Sequence, residues 1–414
     1  MGDAGDIFFT PPPPPKSPSP PRILIVGAGS RGQTYARAVT SATVGIILRR
    51  LLLQDRVIGE ILDVVHTEPI GHWHFAHSYV RGNWRREDTS APSLLAKCCH
   101  DVDLLLWLLC SPPTCTSDDG EGTPGLGPHV PATVSSAGSL KLFKQSRKPQ
   151  EAGAATNCLS CPIESSCQFS AKRIYVDGND GDAMQSLGSS NRSWPVNVVV
   201  PDIESYSNKA QAKAALLAKL AEDYDANAPD CEVRARNWFG RCVWESDNDV
   251  CDSQVVTMTW DEEEAPSGGS SKGKGRGAKT ATLHMVAQTK KLCHRYTHIY
   301  GEHGELYADS TTITVEDFRT GQTTVYRPRI ETLGHGGGDN GLTRQFVLAV
   351  DRVKNQGWTA DRAQREHIGC TLDDVLRSHA VVFCAEQARK GRTVVDFQRW
   401  WREEVEGKGN LAAE

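Results

Sequence analysis

The chain has 414 residues, 39% of them hydrophobic, and a formal charge of −5 at neutral pH. That is enough for two or three domains with a full core, and the slight acidity provides no footprint for nucleic acid. No apolar run reaches the roughly 18 residues of a membrane span. The first twenty residues lack the basic and apolar regions of a signal peptide. The thirteen cysteines, an odd number, are expected to be reduced thiols in a cytoplasmic compartment.

The lead, residues 1–21, carries Pro11 to Pro15, Pro18, Pro20 and Pro21 and reads as a disordered, polyproline-like tail. Arg22 to Val26 reads as a short buried strand. It runs into Gly27-Ala28-Gly29-Ser30-Arg31-Gly32 and then a helix ending near Thr43. Ile46 to Leu53 suggests a further short helix. Gly59 to Glu68 alternates as a strand, and Trp73 to Tyr79 suggests a second, aromatic one. Ser93 to Leu109 reads as a helix entering a core.

Residues 111–138, 178–193 and 261–280 are polar, glycine-rich or charged and are expected to be loop insertions. Lys209 to Asp223 has helical composition. Val255–Trp260 and Thr280–Val286 read as strands flanking a solvated hairpin insertion, and the stretches from Ile299 and Thr311 as further antiparallel strands. Two helices near 341–354 and 371–390 close the chain, the second capped by Thr371 with Asp374 three residues on. Residues 397–414 are expected to be a tail.

Four motifs carry chemistry. The G-x-G-x-x-G turn follows an apolar strand and opens a helix, the context in which Gly27, Ala28, Gly29, Ser30, Arg31 and Gly32 would cradle a pyrophosphate. In the helix at 93–109, Lys97, His100, Asp103 and Trp107 are spaced to share one face. A lysine, an imidazole and a carboxylate there suit proton transfer during hydride chemistry on an alcohol, or form a solvent-facing polar stripe. Cys158, Cys161 and Cys167 supply three thiolates to a structural zinc, with Cys231, Cys242 or a histidine as the fourth ligand; otherwise they are reduced cysteines in a turn. Gly334 to Asn340 places glycines before a helix. That is a donor-rich backbone, or a plain cap at Asp339 or Asn340.

Together these stretches resemble the Gfo/Idh/MocA oxidoreductases, named for glucose-fructose oxidoreductase and inositol dehydrogenase. The resemblance runs through Ile23 to Gly32, Gly59-Glu60-Ile61, Asn83-Trp84-Arg85-Arg86 and His100 to Leu108. It continues through Cys158 to Cys167, Gly301 to Leu306, His335 to Asp339 and Ser378 to Val395. It implies a Rossmann domain, an NAD or NADP cofactor, and hydride transfer at a sugar, inositol or related polyol. It also implies homo-oligomers built through an open sheet. His100 and Asp103 then match an H-x-x-D pair, and Trp84, Arg85, His335 and Asp339 are candidate substrate contacts. The chain departs from the pattern in lacking the acidic residue after the second strand and a Glu-Lys-Pro motif. The expected fold is therefore α/β and α+β: a truncated Rossmann βα unit over 22–55, cut by an internal deletion after Thr43. A C-terminal α/β domain with an open, mostly antiparallel sheet follows over 56–396, its last helices able to pack on the Rossmann part. A non-catalytic assembly remnant and a redox-assisted glycosidase are the alternatives.

Overall fold

The computed structural model describes residues 53, 56–110, 127–178, 185–264, 275–327 and 338–407, with the backbone alone for 338–340. The glycine turn, the helices expected before Leu53 and the proposed deletion point lie outside these residues. The described fold is mixed α/β, built on one open sheet.

The sheet has nine strands. They are β1 (Ile61–Pro69), β2 (Thr133–Ser139), β3 (Ser253–Trp260), β4 (Lys279–Val286) and β5 (Tyr296–Gly301), then β6 (Gly304–Ala308), β7 (Ile313–Asp317), β8 (Gln322–Tyr326) and β9 (Val394–Asp396). Their order is β8-β7-β6-β5-β1-β4-β3-β2-β9. Only β1 and β4 run parallel; the other pairs are antiparallel. Along each strand the side chains alternate between faces, and the registers place like with like. Val134, Met258, Ala281, Val64, Ile299, Leu306 and Val315 form one continuous buried row across seven strands. The next row reads Val256, Leu283, His66, Thr297, Ala308 and Ile313, and the next Gln254, Met285 and Glu68. Strand alternation thus sends His66 and Glu68 inward beside Val64.

The inner face is covered by α2 (Ser93–Cys110) and α5 (Leu372–Gly391), which pack on each other; α5 also lies across β2. Leu94, Cys98, Asp101, Leu105 and Leu109 are buried at the helical spacing of α2. Helix α3 (Lys209–Leu220) buries Ala212, Leu216 and Leu220. Helix α4 (Gly338–Gln356) precedes α5. The capping box of Thr371 and Asp374 is present.

Several expectations are corrected. Trp73 to Tyr79 is not a strand. Gly71, at φ 98°, breaks the chain after β1, and a short helix α1 (His72–Phe75) runs into a wide, π-type turn over Ala76–Arg81. The alternating aromatics read as period two, but the segment is buried on several sides, where local backbone bonds such as Phe75 N–H to the Gly71 carbonyl (2.9 Å) satisfy its peptide groups. The loop read over 111–138 ends early, because Thr133–Ser139 is β2. Its small Ser/Gly composition hides a strand whose register with β3 demands little bulk: a Cβ on Gly138 would lie 2.7 Å from the Gln254 side chain. The last segment is not simply a tail. Phe397–Trp401 is helical and Phe397 is buried in the core. The hairpin between β3 and β4 is present, extended by a bridge between Glu263 and Arg276.

Leu283→Ala, which empties the centre of the second buried row, is expected to cost about 2–5 kcal/mol. Urea denaturation of the two proteins checks it.

Candidate functional site

The C-terminal half of β1 delivers His66 and Glu68 to the inner face, and α2 lies over them. The stripe that buries Leu94, Cys98 and Leu105 also buries Asp101, while Lys97 flanks it one turn earlier. Arg295, next to the start of β5, and Cys293, on the turn before it, close the ring. The result is a charge cluster in which both carboxylates are fully buried, Glu68 at 0% and Asp101 at 1% exposure.

The contacts are specific. His66 Nδ1 lies 2.7 Å from Thr297 Oγ1 and His66 Nε2 lies 3.1 Å from Asp101 Oδ1. Arg295 Nε donates to Asp101 Oδ1 (2.5 Å) and sits 2.9 Å from Glu68 Oε2. Lys97 Nζ is 3.3 Å from Glu68 Oε1 and donates to Cys293 Sγ at 2.9 Å. His74 Nδ1 stands 3.7 Å from the same sulfur. Glu68 is held by its two ion pairs, one oxygen on Lys97 and the other on Arg295. Arg295 Nη2 reaches His100 Nε2 at 2.5 Å, so His100, with its ring 57% exposed, stands at the open edge of the cluster.

The environments drive the two carboxyls apart. Burial and the nearby Asp101 charge raise Glu68 above the ordinary carboxylate range, against the pull of Lys97 and Arg295. Burial works against Asp101 too, but the His66 hydrogen bond and the Arg295 guanidinium outweigh it and hold that carboxyl low. Burial opposes the Lys97 ammonium, yet Cys293 and Glu68 hold its pKa above the usual lysine value. Burial, reinforced by Lys97 and then His77, drops His74 to about 3. Burial next to Arg81 drops His77 to about 3. A proton acceptor, a proton donor and an exposed imidazole thus share one network, the arrangement acid–base chemistry requires.

The expected stripe on α2 divides. Lys97 and His100 belong to the cluster. Asp103 turns toward Ser378 and His379 of α5, where burial raises it against the Ser378 hydrogen bond. Trp107 Nε1 donates to the Gly369 carbonyl at 2.7 Å. Asp101, His66, Glu68, Arg295 and Cys293 were missed. Arg85 is buried and bonded through all three nitrogens, to Asp247, Asn237 and the carbonyls of Gly82, Val233 and Arg236. Its neighbour Trp84 is 43% exposed. His335 lies outside the described residues, and Asp339 lies in the first turn of α4.

The zinc reading is not supported. Among the described residues no group of three or more His, Cys, Asp or Glu side chains is set to hold a metal ion. Cys158, Cys161, Cys167 and Cys242 do line one small enclosed space, but the buried Arg81 lines it too and donates to Cys158 Sγ at 3.3 Å. A fixed guanidinium there repels a cation. Cys231 is exposed elsewhere.

No family profile and no curated protein matches the chain. Solved structures similar to it include levoglucosan dehydrogenase in complex with NADH and levoglucosan (10% identity, 88% of this chain, 64% of that one, TM-score 0.41). Others are an oxidoreductase from Agrobacterium radiobacter in complex with NAD+, L-tartaric acid and magnesium (10%, 90%, 71%, 0.40) and a super-repressor mutant of Gal80p from Saccharomyces cerevisiae (8%, 86%, 63%, 0.43). The chain spans 64% of the length of the levoglucosan dehydrogenase chain. Likenesses at these scores leave the fold class to the sheet topology itself.

Two outcomes are expected. Arg295→Met leaves two buried carboxylates facing one ammonium and should cost about 3–5 kcal/mol, measured by urea denaturation. His77 is buried and His74 half-buried, both with folded values near 3 against 6.5 unfolded. Their contribution is therefore complete above about pH 6.5 and is lost as pH falls from there toward about 3. His77→Phe, stacked on Phe239, should flatten the loss of stability between pH 7 and pH 4; an unchanged slope would remove His77 from this account.

Proposed function

We propose that this chain is an NAD(P)-dependent oxidoreductase moving a hydride to or from a sugar, inositol or related polyol. The observation that carries the reading is the buried Glu68–Lys97–Arg295–Asp101 network with His100 at its open edge, on a chain whose sequence also has a G-x-G-x-x-G motif. Oxidising an alcohol carbon requires a group that accepts the hydroxyl proton and one that fixes the oxygen. Lys97 and His100 fill those roles. Glu68 holds the lysine, and Arg295 and Asp101 hold the imidazole, with Asp103 of the H-x-x-D pair one turn away.

Gly27, Gly29 and Gly32, with Ala28, Ser30 and Arg31, would bring backbone N–H groups to the pyrophosphate of NAD or NADP. The nicotinamide, when bound, supplies the hydride acceptor. Trp84, on the segment that Arg85 fastens, is the proposed stacking contact for a sugar ring, with His335 and Asp339 as hydroxyl partners. The twelve described cysteines are all free, which supports a reducing, cytoplasmic setting. No described helix is long and apolar enough to cross a membrane.

A second reading, assembly of identical copies, is favoured by the outer sheet face. Tyr296, Tyr300 and Tyr307 are each about two-fifths exposed there, and His298 is clamped between Tyr300 (3.0 Å) and Glu305 (2.7 Å). A flat aromatic face of this kind is the sort homo-oligomers bury.

Titration with NADH and NADPH, read by energy transfer from tryptophan, tests the first reading. Saturable binding is expected, and no binding up to millimolar cofactor would overturn it. Where a polyol panel reveals turnover, Lys97→Met should lower kcat by about a hundredfold or more. Sedimentation tests the second: Tyr300→Glu should shift an oligomer toward monomer without changing cofactor affinity.

A further inference from the structure

Cys293 and Lys97 meet in an unusual way. The lysine nitrogen lies 2.9 Å from the cysteine sulfur, and neither group is fully enclosed: Lys97 is 11% exposed and Cys293 half-buried. Cys293 occupies the left-handed region at φ 51°, with its N–H donated to the Pro69 carbonyl at 2.8 Å, so the sulfur is fixed against the end of β1. Glu68, fully buried, places a carboxylate oxygen 3.3 Å from the lysine nitrogen. A thiol and a carboxylate that can accept a proton therefore both lie against one amine nitrogen.

We propose that Cys293 and Lys97 form an oxidant-dependent covalent S–N cross-link, with hydrogen peroxide or a related hydroperoxide as the oxidant. In the first step the sulfur attacks the peroxide: the O–O bond breaks, sulfur is oxidised to the sulfenic acid, and one water leaves. In the second, Lys97 passes one ammonium proton to Glu68. The freed amine then attacks sulfur: the S–N bond forms, the S–O bond breaks, and hydroxide leaves with a second amine proton as water. Overall, one thiol, one amine and one peroxide become one sulfenamide and two waters. Reduction by an external dithiol reverses the link. Because Lys97 would be consumed, the cross-link is a switch on the site described above. That consequence rests on the proposed oxidoreductase reading, while the cross-link itself does not.

The full chain, treated with a small excess of hydrogen peroxide and digested, is read by peptide mass mapping. The expected product joins the Lys97 and Cys293 peptides, is lighter by two hydrogens than their sum, and disappears on dithiothreitol treatment. It should be absent from Cys293→Ser and from Lys97→Arg, and form roughly a hundredfold more slowly in Glu68→Gln, which lacks the proton acceptor. Dimedone trapping of Cys293 as sulfenic acid with no linked peptide would overturn the proposal, as would a link persisting in Cys293→Ser. Cofactor binding is measured separately on the untreated protein. A linked peptide without NADH binding would sink the oxidoreductase reading alone.

Discussion

Two fully buried carboxylates are the constraint around which this structure is organised. An isolated carboxylate in a protein interior is far too costly to persist ionised. Glu68 and Asp101 are both sealed between β1 and α2. They persist because Arg295 spans them and Lys97 and His66 close the two ends. Removing either cation leaves an uncompensated charge, so α2, β1 and the turn before β5 are tied in one arrangement. The same pairing separates the carboxyls chemically. One is held low by a guanidinium and an imidazole; the other is pushed up by burial and by its neighbour.

This arrangement depends on β1 lying at the centre of the sheet. Between β4, with which it runs parallel, and β5, with which it runs antiparallel, it has no free edge. Its inward residues therefore face helix rather than solvent. The register with β5 sets Thr297 opposite His66, which gives the imidazole a partner on its second nitrogen. The short helix after β1 then supplies His74, and the segment leading into β5 supplies Cys293 and Arg295. The outer face of the same strands has the opposite character, with tyrosines and threonines in place of a packed core. One sheet thus presents a buried, charged layer on one side and an open aromatic surface on the other.

Much of the framework was legible along the chain. The alternation in Val255–Trp260 and Thr280–Val286 and the capping box at Thr371 are local signals, and they correspond to β3, β4 and α5. The glycine-rich motif from Gly27 to Gly32 is an equally local signal whose structure lies outside the described residues. Two elements were misread because their signal is not local. Thr133–Ser139 is a strand only because β3 and β9 flank it. Trp73–Tyr79 looks like a strand until the aromatic core folds it into helical turns. At the site, Lys97 and His100 could be chosen by residue type and spacing. Asp101 was visible as the polar member of the stripe Leu94, Cys98, Leu105, and Glu68 as the inward charge of an alternating strand, had those periods been followed past the apolar residues.

By itself, then, the sequence determined the alternation of β1, β3 and β4, the helical stripe of α2, the capped start of α5 and the chemical types available for a site. Periodicity acts within a few residues, so it specifies which side of an element faces inward. Only the tertiary structure decided which inward groups meet. It brought together Glu68 and Lys97 with Cys293 and Arg295, from distant stretches of the chain, and it sent Asp103 toward α5 instead. The physical reason is that an ion pair or a short sulfur contact is set by strand register and helix placement, and neither is encoded within the segment that carries the residue.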